Sequence, residues 1–234
     1  NPKLENLFKK NEKIPKINFK INAEKELEYI SKFIKECGDS KIPKEAKDLL
    51  ALNKNEAIDI LKREYEKENL ENFKNELSDI WKKIEASYLE TVAKLTNYNW
   101  ESDEYDCYIT LNVPGFADVW KKNVVFVGKK YSITVRGKIY ILAHELFHIH
   151  YFQIIDKEKL PLSAKKVALN ESIPIILFAL EKDLNRFWPF ITLDNTRKSY
   201  KEVDKNIDKI IPLWKKRKNF KEFILNSLKV LSLK

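Results

Sequence analysis

His144-Glu145-Leu146-Phe147-His148 has the residue types and spacing of a metal-assisted hydrolytic site. On a helix, at about 100° per residue, positions four apart lie roughly 40° apart around the axis. His144 and His148 therefore share one face, and two imidazoles so placed can bind one Zn²⁺. Glu145 falls beside that face, where a general base for a metal-activated water belongs. The chain holds three His, at 144, 148 and 150. His150 points about 200° away from His148 and cannot share its metal. It is read as a residue supporting the site from behind or lying at the surface.

A catalytic zinc needs a third protein ligand and one open position. Glu171, in Ala168-Leu169-Asn170-Glu171-Ser172-Ile173, is the candidate. Twenty-two residues lie between His148 and Glu171, enough for a second helix to return antiparallel and present its carboxylate to the same metal. Pro161 suits the first turn of that helix. The helical pattern runs from Lys166 to Leu184, with Pro174 as a kink point. The apolar neighbours Leu169, Ile173, Ile175, Ile176 and Leu177 argue against a plain surface glutamate. Glu158 sits too near the end of the motif helix to fold back. Glu181 and Asp183 stay open as ligands if the turn between the helices is longer.

His144-Glu145-x-x-His148 followed by Asn170-Glu171 resembles the gluzincin zinc metallopeptidases, the thermolysin-like group, over about residues 105–180. The resemblance implies zinc held by His144, His148 and Glu171, with Glu145 as base. It also implies a zincin-like catalytic core, a small twisted β-sheet over the HExxH helix followed by a helical part carrying the glutamate. Such enzymes place a second electrophile, often a Tyr or His, downstream of the glutamate ligand. No His follows His150, so Tyr200, with Arg197, is the candidate here. The chain departs from the family pattern at two positions. Val167 stands where members often have Gly, and Ile175 stands where an Asp orients the first histidine.

These residues need elements to position them. Lys138 to Ile155 is apolar on nearly every side, so the motif helix belongs in a core. Histidines and a glutamate there must be paired or metal-bound, because uncompensated polar burial is costly. Gly137 and Pro161 are read as the breakers at its ends. Ahead of it, Tyr108–Val113, Asn123–Gly128 and Tyr131–Val135 alternate and are β-branched, and read as strands with Lys129-Lys130 as a turn. The edge strand of such a sheet can pair with an extended peptide. The first hundred residues predict helices over 23–37, ending at Gly38, then 43–52 and 55–67, and one long helix over 70–96. Further helices are expected over 206–216 and 220–233.

The fold class is therefore α+β and mostly helical, with an N-terminal helical subdomain over 1–99 and a zincin-like metallopeptidase domain over 100–234. The helical subdomain either walls a substrate cleft or supports the sheet. With 44% apolar residues the core is ample. The net charge of +9 comes from lysines spread along helices beside acidic residues. Lys215-Lys216-Arg217-Lys218 is the one dense basic run, so nucleic acid is disfavoured as a partner. The longest apolar run, Ile173–Leu180, is too short for a bilayer, and no signal segment opens the chain. No membrane association and a cytoplasmic location are expected. Cys37 and Cys107 do not make a disulfide scaffold and are read as buried thiols, with a zinc-blocking role as the other reading. The expected function is zinc-dependent hydrolysis of a peptide or protein substrate. The alternative is a latent or non-catalytic zincin-fold protein acting as a binding or regulatory module.

Overall fold

Short polar residues mark where the helices begin. The structure, a computed structural model, describes residues 14–118, 120, 121, 123–131, 134–196 and 201–231. Strand β1 (Lys16–Lys20) leads through Asn22 into α1 (Ala23–Cys37). The Asn22 side chain accepts from Lys25 N at 3.0 Å, satisfying one of the free N–H groups of the first turn. Gly38, at φ +83°, closes the helix in a conformation that a side chain would strain. The limits of α1 are those the sequence predicts. Next come α2 (Lys44–Asp48) with a 3-10 turn (Leu49–Ala51), and α3 (Lys54–Lys67), capped by Asn53.

The single helix predicted over 70–96 is two, α4 (Leu70–Lys82) and α5 (Glu85–Thr96). The Lys83 and Ile84 N–H groups bond back only three residues, to the Ile80 and Trp81 carbonyls. This turn frees the Glu85 carboxylate to accept from Trp81 Nε1 at 2.9 Å and from Ile17 N of β1 at 3.0 Å. The break ties the sheet edge to the helical layer.

The sheet adds β2 (Glu104–Thr110), β3 (Phe116–Asp118) and β4 (Val124–Gly128), in the order β1-β2-β4-β3. β1 runs parallel to β2, β2 parallel to β4, and β3 antiparallel to β4. β1 and β3 are the edges. β1 comes from the stretch assigned to the N-terminal helical subdomain, ahead of its first predicted helix, so the sheet draws on both halves of the chain.

Val135, expected in a strand, instead opens the motif helix α6 (Val135–Lys157), after a 3-10 turn at Lys129–Tyr131. The Thr134 side chain accepts from Gly137 N at 3.1 Å, so Gly137 lies inside the first turn and breaks nothing. Lys138 Nζ donates to Gly128 O at 2.5 Å and to Lys129 O, fastening the helix start to the end of β4.

Every residue of β4 is buried because both faces of the sheet are covered. Val125 and Val127, with Cys107 and Ile109 of β2, belong to the main core with α6. Val124 and Phe126 belong to a second cluster with Tyr29, Ile30 and Phe33 of α1. The main core runs from Ile17 to Leu228, across residues 1–99 and 100–234 alike. The fold is α+β and mostly helical, around a small mixed four-stranded sheet.

Beyond α6, Pro161 precedes a 3-10 turn (Leu162–Lys165) rather than opening a helix. The continuous helix expected to Leu184 is three pieces, α7 (Val167–Asn170), α8 (Ser172–Leu180) and α9 (Lys182–Asn185). Pro174 offers no N–H to the Asn170 carbonyl four residues back, so the helical hydrogen bonding is interrupted near Glu171 although that residue keeps a helical backbone, at φ −79° and ψ −29°. α10 (Leu193–Thr196), α11 (Lys201–Lys216) and α12 (Phe220–Val230) complete the chain. Among the described residues no helix is long and apolar enough to cross a membrane.

Candidate metal centre

α6 presents His144 and His148 one turn apart, and Glu171, at the junction of α7 and α8, brings its carboxylate to them. His144 Nε2 lies 2.8 Å from His148 Nε2 and 3.2 Å from Glu171 Oε2. His148 Nε2 is 3.4 Å from Glu171 Oε1. Among the described residues this is the one group of three or more His, Cys, Asp or Glu side chains able to hold a metal ion, with all three ligand atoms within 4.8 Å of one another. Two imidazole nitrogens this close need a cation or a proton between them. Burial would lower the His148 pKa, but the Glu171 carboxylate beside it overrides this and lifts it to about 9. Burial would likewise raise Glu171, and the two histidines hold it well below the usual carboxylate range.

The two histidines differ on their far sides. His148 Nδ1 lies 2.9 Å from Asn170 Oδ1, so it donates there and leaves the Nε2 lone pair for the centre. His144 Nδ1 is buried with no hydrogen-bond partner among the described residues. Ile175, where the resembling family carries an orienting Asp, cannot supply one.

Glu145 is half-buried beside the cluster. Burial raises its carboxyl pKa, and the histidines pull it back. It lines a cleft of about 480 Å³ together with His148, Asn170 and Glu171. The opposite wall comes from the end of α1 and the loop into β3, with Phe33, Glu36, Cys37, Lys41, Pro114, Gly115 and Phe116. Gly115 presses on the site: a Cβ there would lie 2.4 Å from Ile141 Cγ2 and 2.9 Å from Glu145 Oε1. β3 is held at its far end by Asp118, which pairs with Lys32 of α1 at 2.8 Å and accepts from Tyr29 Oη. Tyr140, one turn before His144, has its ring centroid 5.9 Å from that imidazole. Burial, then Glu171 and Glu145, push its phenol well above the ordinary range, so it keeps its proton.

His144, Glu145, His148 and Glu171 thus come together as the spacing predicts. Tyr200 and Arg197 lie outside the described residues. His150 is neither at the surface nor behind the cluster. It is fully buried, with Nε2 2.9 Å from Thr96 Oγ1 and its ring 4.5 Å from that of Trp100. Glu158 pairs with Lys221, Glu181 accepts from Trp214 Nε1 at 2.5 Å, and Asp183 is exposed, so none of the rival carboxylates joins the cluster. Cys107 is buried as expected, but Cys37 is exposed and lines the cleft. The wall from α1 and Gly115 carries no motif. A glycine beside a proline reads as a turn, and Phe33 as an ordinary position of an amphipathic helix. No family model matches the chain, and neither a curated protein nor a solved structure matches it.

Proposed function

We propose that this chain is a zinc-dependent peptidase with a zincin-like core. The observation that carries the reading is the convergence of His144 Nε2, His148 Nε2 and the Glu171 carboxylate, with His148 and Glu171 lining a cleft that a second carboxylate, Glu145, also lines. The donor set fits zinc. Bonds of about 2.0–2.2 Å at tetrahedral angles place ligand atoms roughly 3.3 Å apart. The separations here are 2.8, 3.2 and 3.4 Å. Three protein donors leave a fourth position open, which a purely structural site would fill.

Zinc at this position supplies Lewis-acid polarisation of a carbonyl and a water acidified toward neutrality. The chain's own residues do the rest. Glu145 takes the proton of the attacking water and passes it to the leaving amine. Its half-buried carboxyl, raised by burial, is the more basic for it. Asn170 holds the His148 tautomer. β3 is a sheet edge whose Phe116 and Ala117 line the cleft, the place where an extended peptide would pair by strand addition.

Glu145→Gln tests the reading, because it keeps shape and removes the base. Purified wild type should carry one zinc per chain and cleave an unfolded casein-like protein or short peptides. The variant should keep its zinc and lose hydrolysis by about 10²–10⁴-fold or more. A zinc-loaded wild type that cleaves neither substrate class, with Glu145→Gln indistinguishable from it, would leave a binding module as the better reading.

A further inference from the structure

Glu26 stands in the first turn of α1, where an acidic side chain ordinarily faces solvent, yet it is fully buried. Its carboxylate is spent on the segment that follows β2. Oε1 accepts from Asn112 N at 2.7 Å and from Asn112 Nδ2 at 2.9 Å. Oε2 accepts from Leu111 N at 3.0 Å and from Tyr65 Oη of α3 at 2.8 Å. β2 ends at Thr110, so these two backbone N–H groups have passed beyond the strand ladder, and Glu26 takes the place of the missing strand. The loop is tightened again by Thr110 Oγ1, which donates to Val113 O at 2.9 Å. Pro114 and Gly115 come next, and Gly115 meets Glu145 with no room for a methyl group.

We propose that Glu26 is a positioning residue for the cleft: by holding Leu111 and Asn112 it sets how closely Gly115 approaches Glu145, and so where that carboxylate stands relative to the histidines. The inference rests on the role assigned to Glu145 above. Only two residues, Val113 and Pro114, separate the anchored Asn112 from Gly115, so little of a shift at the anchor is lost on the way. A displacement of about 1 Å at a reacting group can cost on the order of 100-fold in rate.

Three substitutions in the full chain separate position from charge and bulk. Glu26→Gln keeps an acceptor toward Asn112 but sets an amide NH2 against Leu111 N–H. Glu26→Asp withdraws the acceptor by one methylene. Glu26→Ala removes it. In the zinc-loaded protein, Glu26→Gln, which keeps the Asn112 anchor and loses that of Leu111, should fall between wild type and the other two variants, while Glu26→Asp and Glu26→Ala should lower kcat by roughly 10–100-fold with KM little changed. A second readout needs no turnover. Acetohydroxamate chelates a metal and hydrogen-bonds a carboxylate beside it. Its affinity for the cobalt-loaded protein, followed by the visible spectrum, should weaken about tenfold in the Asp and Ala variants with cobalt affinity unchanged. Folded Asp and Ala variants with wild-type kcat and hydroxamate affinity would overturn the proposal. So would a parallel loss of cobalt affinity, or failure of both variants to melt cooperatively, since Glu26 would then serve the metal centre or the fold at large. If wild type cleaves nothing, the peptidase reading fails, and the hydroxamate titration still decides the role of Glu26.

Discussion

The two walls of the cleft are built differently. On α6 and at the α7–α8 junction the chemistry lies in side chains: His148, Glu145 and the Glu171 carboxylate line the cleft, and His144 closes the cluster with His148 and Glu171. Across from them, the β2–β3 loop contributes Pro114 and Gly115, which offer shape and backbone rather than reactive groups. The first wall is specified by residue type, and the Pro114–Gly115 loop of the second by residue size. Substitutions on the first should change what binds. On the second they should change rate while the metal stays.

The largest effect belongs to the first wall. His148→Ala removes one of three donors, and its loss of zinc affinity should exceed the roughly 10–100-fold that a merely supporting residue costs. Dialysis followed by metal analysis should find near-stoichiometric zinc in wild type and little in the variant. Equal zinc in both would show that the ion sits elsewhere.

Gly115→Ala probes the second wall. The added methyl would start 2.4 Å from Ile141 Cγ2 and 2.9 Å from Glu145 Oε1, so either the loop or the glutamate must move. A fall in kcat of about 100-fold is expected, with zinc content unchanged. Adding Ile141→Ala relieves the shorter contact and should recover part of the loss. Zinc lost along with activity would mean that the walls are not separable.

That division also explains what could be read from the chain alone. Ligand chemistry restricts residue types at fixed spacing, so His144, Glu145 and His148 are legible as a string, and Glu171 follows from its apolar neighbours and distance. Gly115 and Glu26 have no such signature. Their importance is a contact with residues far away in sequence. The same cause hid β1. Lys16–Lys20 is a five-residue strand whose partner, β2, lies some ninety residues on. The α4–α5 break was invisible because the apolar spacing runs through it, and its reason is Glu85 reaching Ile17. At Val135 a β-branched residue suggested a strand, but the Thr134 cap recruited it into α6, a case of local hydrogen bonding overriding propensity.

The smallest expected effect tests an asymmetry within the first wall. His148 has its outer nitrogen held by Asn170 at 2.9 Å, whereas His144 Nδ1 is buried with no partner among the described residues. An outer hydrogen bond fixes a ligand's tautomer and ring angle and makes it a better donor, which is worth about 10–100-fold in metal affinity. Asn170→Ala should therefore weaken zinc by that factor in competition with a chelator, without abolishing binding as His148→Ala does. Asn170→Asp should retain or strengthen binding, because a carboxylate accepts the same N–H more strongly. His144 provides the internal control. Its ring is set by packing, against Tyr140 among others, rather than by an outer acceptor. If Asn170→Ala leaves zinc affinity unchanged, packing along α6 orients both histidines, and Asn170 merely fills the outer site.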